Sequence, residues 1–193
     1  MNEEQPQIPS AKSEVLAFVW ETIKVVVISL AIILPIRYYL VQPFFVKGAS
    51  MEPNFEDGEY LIIDEISYYF KKPVRGDVVV FYYPLDTSRY YIKRIIGLPG
   101  ETVEIKNGDI IIYNGEHPEG LLIQETYLPQ NLTTGGDINK KISNGEYFVL
   151  GDNRLNSSDS RIWGALPEKD VIGRVLLRAW PFGRAGIFEA PNY

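Results

Sequence analysis

The chain has 193 residues, suited to one domain plus an appendage, and its 46 % hydrophobic content speaks against global disorder. A formal net charge of −6, with no lysine- or arginine-rich run, argues against nucleic acid as a partner. Cysteine is absent and histidine occurs once, as His117, so disulfides, thiol catalysis, zinc-cysteine centres and His-rich metal sites are excluded. A hydrolase of this composition is expected to draw its base from a side chain other than histidine.

Residues 1–14 form a polar tail with two prolines. The chain then turns apolar, and the run from Val15 to Ile36 reaches roughly 33 Å at about 1.5 Å per helical residue, enough to cross a bilayer core. Glu21 and Lys24 lie on one helical face, where they can pair. Trp20 and Tyr38–Tyr39 sit where interfacial aromatics belong, and Arg37 closes the run. A buried core helix and a cleaved secretory signal compete with this reading. No small-x-small cleavage site follows Ile36, which favours an uncleaved transmembrane anchor over 15–41. Lys12 and Lys24 on one side nearly balance Arg37 and Lys47 on the other, so the charge bias leaves orientation open.

From residue 42 the pattern is one of strands and turns. Runs rich in Val, Ile, Tyr and Phe appear at Tyr60–Ile63, Asp77–Tyr83, Tyr90–Ile96, Thr102–Ile105, Asp109–Tyr113, Tyr147–Leu150 and Val171–Ala179. Asn107-Gly108 reads as a tight hairpin, and a short turn fits near Glu65–Phe70. Residues 114–145 read as a polar surface excursion. The expectation is a mainly antiparallel β domain over 42–193, partly closed on itself to protect its edges.

Three segments could carry chemistry. Gly48-Ala49-Ser50-Met51-Glu52-Pro53 places a serine among small residues, which by itself is a loop serine. Lys93 sits inside an apolar strand, and alternation puts Lys93 and Arg94 on opposite faces, so one of these cations must point to the more buried side. An edge lysine that prevents aggregation would explain it. A buried ammonium would instead lose its proton more readily and become a general base for serine. The third segment, Gly151–Arg161, is dense in Asp, Asn and Ser and reads as a tight turn; its spacing fits a calcium loop badly.

GASMEP, RGDVVVF (Arg75–Phe81), YIKRIIGLPGE (Tyr91–Glu101) and GDNRLNSSDSR (Gly151–Arg161) follow one another in the order and spacing of type I signal peptidases, which this chain resembles from the anchor through nearly all of the remainder. The resemblance implies a coiled, partly closed antiparallel β-barrel-like domain without metal or organic cofactor. It implies Ser50 as nucleophile and Lys93 as general base. Ser157 would orient the lysine amine, Asp159 and Arg161 would form a supporting ion pair, and Asp152 would be its acidic neighbour. Phe44, Val46 and Ile92 would wall shallow pockets for small side chains. Some members carry a serine where this chain has Gly48, so the oxyanion hole is expected to rest on the backbone N–H of Ser50 and a main-chain donor at Gly48. The implied partners are signal peptides of exported preproteins and a lipid bilayer. The implied location is a plasma or thylakoid-type membrane, crossed once, with the catalytic domain on the extracytoplasmic side. Phe44-Phe45 and Trp180-Pro181-Phe182 are candidate membrane-dipping aromatics. Two other readings stay open: an inactive peptide-binding relative, and a self-cleaving Ser-Lys repressor of the LexA type.

Overall fold

The structure, a computed structural model, describes residues 11–35, 41–130, 132–191 and 193. It divides into two units, Met1–Leu40 and Val41–Tyr193. In the first, α1 spans Ala11–Pro35, beginning earlier than the apolar run. Its segment Glu14–Leu34 is long and apolar enough to cross a membrane, and the side chains there are exposed. Lys24 Nζ meets Glu21 Oε1 at 2.6 Å, so the charges embedded in the helix offset one another. Arg37, Tyr38 and Tyr39 lie outside the described residues, as do residues 1–10.

The second unit is mainly antiparallel β. In chain order it runs β1 (Val41–Phe45), β2 (Tyr60–Asp64), α2 (Ser67–Phe70), β3 (Val78–Tyr83), β4 (Asp86–Gly97), β5 (Thr102–Lys106) and β6 (Asp109–Tyr113), then β7 (Leu121–Leu122), β8 (Ile138–Lys141), β9 (Glu146–Leu150), α3 (Ser160–Trp163), β10 (Leu166–Pro167), β11 (Val171–Trp180) and β12 (Gly186–Ile187). The main sheet follows the order β1-β2-β11-β3-β4-β9-β10, with β12 added on β11; the second follows β7-β6-β5-β8. Every strand expected from the sequence forms. The excursion 114–145 is more than surface: it supplies β7 and β8, the two edges of the second sheet.

Local sequence explains the two kinds of strand. β5 and β6 alternate buried and less buried residues, so one face, with Val103, Ile105, Ile110 and Ile112, meets the core. Each such fully buried side chain contributes about 1.5–3 kcal/mol. β3 opens with four consecutive buried residues, as a central strand covered on both faces must. Between β5 and β6, Asn107 and Gly108 both take positive φ, 53° and 92°, which a two-residue hairpin turn of this hand requires.

A buried ion pair ties β11 to the loop between β1 and β2. Arg178 Nη1 donates to Glu59 Oε1 at 2.9 Å and Nη2 to the Asn54 carbonyl at 2.7 Å, and Arg184 adds contacts to Glu56 and Glu59. Arg178 and Glu59 are only 5 % and 2 % exposed, so removing Arg178 leaves Glu59 buried with the more exposed Arg184 as its remaining counter-charge. Arg178→Ala is therefore expected to cost about 3–5 kcal/mol in chemical denaturation. A loss below 1 kcal/mol would show that the pair does not hold the loop.

Candidate active site

The loop from Val46 to Glu59 carries the serine. Its ends are closed by the Val46 N–H on the Glu59 carbonyl and the Gly58 N–H on the Val46 carbonyl, both 2.9 Å. Met51 and Phe55, fully buried, pin its middle into the core. Within the loop the Gly48 N–H donates to Asp57 Oδ1 at 2.6 Å. That donor is thus engaged rather than open, contrary to its expected part in an oxyanion hole. The Ser50 N–H has no acceptor among the described residues.

Strand β4 brings the lysine. Val79 of β3 is its register partner, and Lys93 is 3 % exposed. Its Nζ lies 2.8 Å from Ser50 Oγ and 2.7 Å from the Ile92 carbonyl. Burial pushes the amine down to about 8, against the opposing pull of Asp159 and Asp152. Alternation along the strand required one buried cation; both are buried, because Arg94 on the other face is neutralised by Asp152. Arg94 Nε and Nη2 reach the two Asp152 oxygens at 2.9 and 2.7 Å, and the guanidinium lies 3.9 Å from the Tyr127 ring centre.

The segment Gly151–Arg161 closes the site from the third side. Asp159 caps α3 and accepts from the Gly151 N–H and from Arg161, whose Nε and Nη2 each sit at 2.8 Å. Burial works against its charge, but the Arg161 and Gly151 hydrogen bonds outweigh it and hold the carboxyl below its usual range. Ser157 is placed beside the cluster: its buried hydroxyl adds weakly to what holds the Asp159 charge, lies outside strict hydrogen-bond geometry, and does not bond the lysine. Gly151 makes this closeness possible: a Cβ there would lie 2.2 Å from Ser157 Oγ and 2.4 Å from the Ser50 carbonyl.

A groove of about 720 Å³ opens beside the pair, and Ser50, Lys93, Phe44, Val46 and Ile92 all line it. On its two sides lie backbone edges that lack partners among the described residues: the outer side of β1, and the Asp86–Lys93 half of β4, which β9 joins only from Arg94. Phe44 packs edge-on against Tyr90 in this groove, so it is not a dipping residue, whereas Phe45, Trp180 and Phe182 are 64, 52 and 78 % exposed. Among the described residues no cluster of His, Asp and Glu could hold a metal.

Sequence reasoning missed a second network. Arg154 bonds Glu125 through both terminal nitrogens, Thr134 through Nη1 and the Gly151 carbonyl through Nε at 3.1 Å. Asn54 Nδ2 joins Asp152 Oδ2 at 2.8 Å and the Tyr127 carbonyl at 3.0 Å. The excursion thereby clamps the loop 151–161. Nothing in a polar stretch distinguishes Glu125 from a solvated acid; only the surplus arginine in GDNR hinted at a distant partner.

Gly151→Ala is expected to slow acylation of Ser50 by a serine-directed reagent about 10²-fold, the cost of roughly 1 Å of misplacement. An unchanged rate would mean the crowding at Gly151 is irrelevant. Lys93 also affects stability. Its proton is held less tightly in the folded chain (about 8) than at its ordinary 10.5, so folding is penalised at neutral pH and relieved as pH rises between those values. Lys93→Met should thus stabilise the protein by roughly 3 kcal/mol at pH 7, with the advantage shrinking above pH 8. A lower melting temperature for the variant at pH 7 would contradict the burial of a displaced amine.

The signal peptidase family, peptidase S26, matches residues 19–180. A probable signal peptidase I-1 from Synechocystis is 37 % identical over 180 residues, covering 88 % of this chain and 86 % of that protein. Signal peptidase I from Bacillus amyloliquefaciens is 40 % identical over 174 residues, covering 84 % and 86 %. Signal peptidase IB from Staphylococcus aureus is 34 % identical over 168 residues, covering 81 % and 87 %. A crystal structure of a signal peptidase I from Enterococcus faecalis aligns with a TM-score of 0.46 at 33 % identity, over 54 % of this chain and 97 % of that one. A match that takes in most of the catalytic unit and all four motifs leaves one assignment: the chain belongs to the signal peptidase family, peptidase S26.

Proposed function

We propose that this protein is a membrane-anchored endopeptidase that removes signal peptides from exported preproteins, with Ser50 as nucleophile and Lys93 as general base. The observation that carries this reading is the 2.8 Å separation of Lys93 Nζ and Ser50 Oγ in a site where the amine titrates at about 8. At pH 7 about one amine in ten is then neutral, so a base is present without histidine.

The substrate lies extended between the open edges of β1 and β4, pairing main chain to main chain. Phe44, Val46 and Ile92 limit the side chains next to the cut to small ones. Ser50 Oγ attacks the carbonyl while Lys93 takes its proton, and the Ser50 N–H faces the oxygen that becomes negative. The lysine ammonium then protonates the departing amine, which frees the mature chain. Water, deprotonated by the same amine, hydrolyses the acyl-serine and releases the signal peptide. Asp152 and Asp159 support the site through their arginines. Ser157, whose hydroxyl is buried beside Gly151 and the Ser50 carbonyl, is read as the group that holds the lysine once Ser50 is acylated.

Helix α1 anchors the enzyme in a plasma or thylakoid-type membrane with the unit from Val41 onward on the extracytoplasmic side. The chain from Pro35 to Ser50 extends at most about 50 Å, which keeps the site within reach of a membrane-held preprotein. The exposed Phe45, Trp180 and Phe182 fit an interface with lipid headgroups.

Ser50→Ala and Lys93→Met are each expected to abolish cleavage of a preprotein in detergent, read by mass mapping of the products. Cleavage retained by both would end the proposal. For the parent enzyme kcat/KM should rise with pH through a midpoint near 8, as the amine loses its proton. A rate that is flat from pH 6 to 9 would mean another group is the base.

A further inference from the structure

Asn153 sits between the two clamped residues Asp152 and Arg154, and neither role above uses it. It makes two contacts with the nucleophile loop: its backbone N–H donates to the Ser50 carbonyl at 3.1 Å, and its side-chain Nδ2 donates to the Ala49 carbonyl at 3.0 Å. The Ala49 carbonyl also accepts the Glu52 N–H at 3.2 Å. The side-chain contact falls on the peptide unit whose other end is the Ser50 N–H. That peptide is planar and trans, so its carbonyl and its N–H point in opposite directions. A donor that fixes the carbonyl therefore fixes the direction of the N–H. A further hydrogen bond on the carbonyl also polarises the amide and strengthens its N–H as a donor.

This matters because the loop offers few alternatives. The Gly48 N–H is engaged by Asp57, glycine supplies no hydroxyl at that position, and the Ser50 N–H is without an acceptor among the described residues. Stabilisation of a negative oxygen at the serine thus falls on one backbone donor whose aim depends on its own peptide plane. We infer that Asn153 is a positioning residue for the oxyanion: its side-chain amide, anchored on the Ala49 carbonyl, orients and polarises the Ser50 N–H. The inference rests on the Ser50–Lys93 reading and adds to it the group that makes a single backbone donor sufficient.

Placement of Asn153 is itself enforced from outside the site. Asp152 is held by Arg94 and Asn54, and Arg154 by Glu125 of the excursion, so the residue between them has little freedom. The half-buried side chain leaves no core cavity when truncated.

The test compares the full-length enzyme with Asn153→Ala and the isosteric Asn153→Asp, using preprotein cleavage and inhibition by a peptide aldehyde ending in a small residue. Ser50 adds to the aldehyde carbon and its proton passes to the lysine, so the adduct's oxygen occupies the oxyanion position. For Asn153→Ala, kcat should fall about tenfold with KM within about twofold, and the aldehyde should bind weaker by the same factor as kcat. The loss is smaller than the ~10²–10³ that follows outright removal of a donor, because Glu52 still holds the carbonyl. The pH midpoint near 8 should not move. Asn153→Asp should lose more, since a carboxylate oxygen would face the Ala49 carbonyl, and it carries the test if the alanine variant fails to fold. Wild-type kcat in either folded variant overturns the inference, as does a fall in kcat with aldehyde affinity unchanged. Ser50→Ala distinguishes the two levels: if it is inactive while Asn153→Ala is not, only the positioning role fails, whereas an active Ser50→Ala removes the reading beneath it.

Discussion

The contact between Lys93 Nζ and Ser50 Oγ sets a buried amine, its proton loosened by desolvation, against two buried aspartates that favour its cation. Asp152 and Asp159 both pull its proton affinity up. Each is engaged by its own arginine: Arg94 grips Asp152 with two hydrogen bonds, and Arg161 grips Asp159 with two more. Their charge is largely offset, and desolvation of the amine decides the balance. One buried cation thus keeps a lowered proton affinity while lying beside two internally compensated ion pairs. Such pairs are costly to bury and strongly destabilising to break, which makes the same residues structural and functional at once.

The architecture exists to bring three distant segments to this point. The β1–β2 loop supplies the serine, the middle of β4 the lysine, and the turn after β9 the closing loop. The pairing of β4 with β3 and then β9 fixes the lysine within a sheet, where its backbone cannot drift. Gly151 lets the closing loop approach the Ser50 carbonyl without a side chain between them. The second sheet contributes from further out: residues between β7 and β8 carry the Glu125 that holds Arg154.

Much of this was legible in the sequence because each signal was local. The runs at 78–83, 102–105 and 109–113 carried strand composition over enough residues to outweigh ambiguity, and Asn107-Gly108 announced its turn. Ser50 and Lys93 were weak candidates separately and became strong only through the ordered set of four motifs. What was not legible is what depends on long-range packing. β8, with the sequence Ile-Asn-Lys-Lys, has no strand composition and exists because β5 offers it a free edge. The burial of Arg94 alongside Lys93 was hidden, since alternation cannot foresee a neutralising partner 58 positions away. The engagement of the Gly48 N–H by Asp57 was likewise invisible, because a side chain folding back on its own loop leaves no periodic trace.

The central claim is that the lysine amine beside Ser50 gives up its proton near pH 8 rather than at lysine's ordinary value, and it can be observed directly. Lysine side chains would be labelled at the terminal nitrogen and its neighbouring carbon, and Lys93 assigned by the resonance missing in Lys93→Met. Titration by NMR in detergent should give that resonance a midpoint of about 8, well below lysine's ordinary 10.5. A Lys93 midpoint near 10.5 would contradict the account.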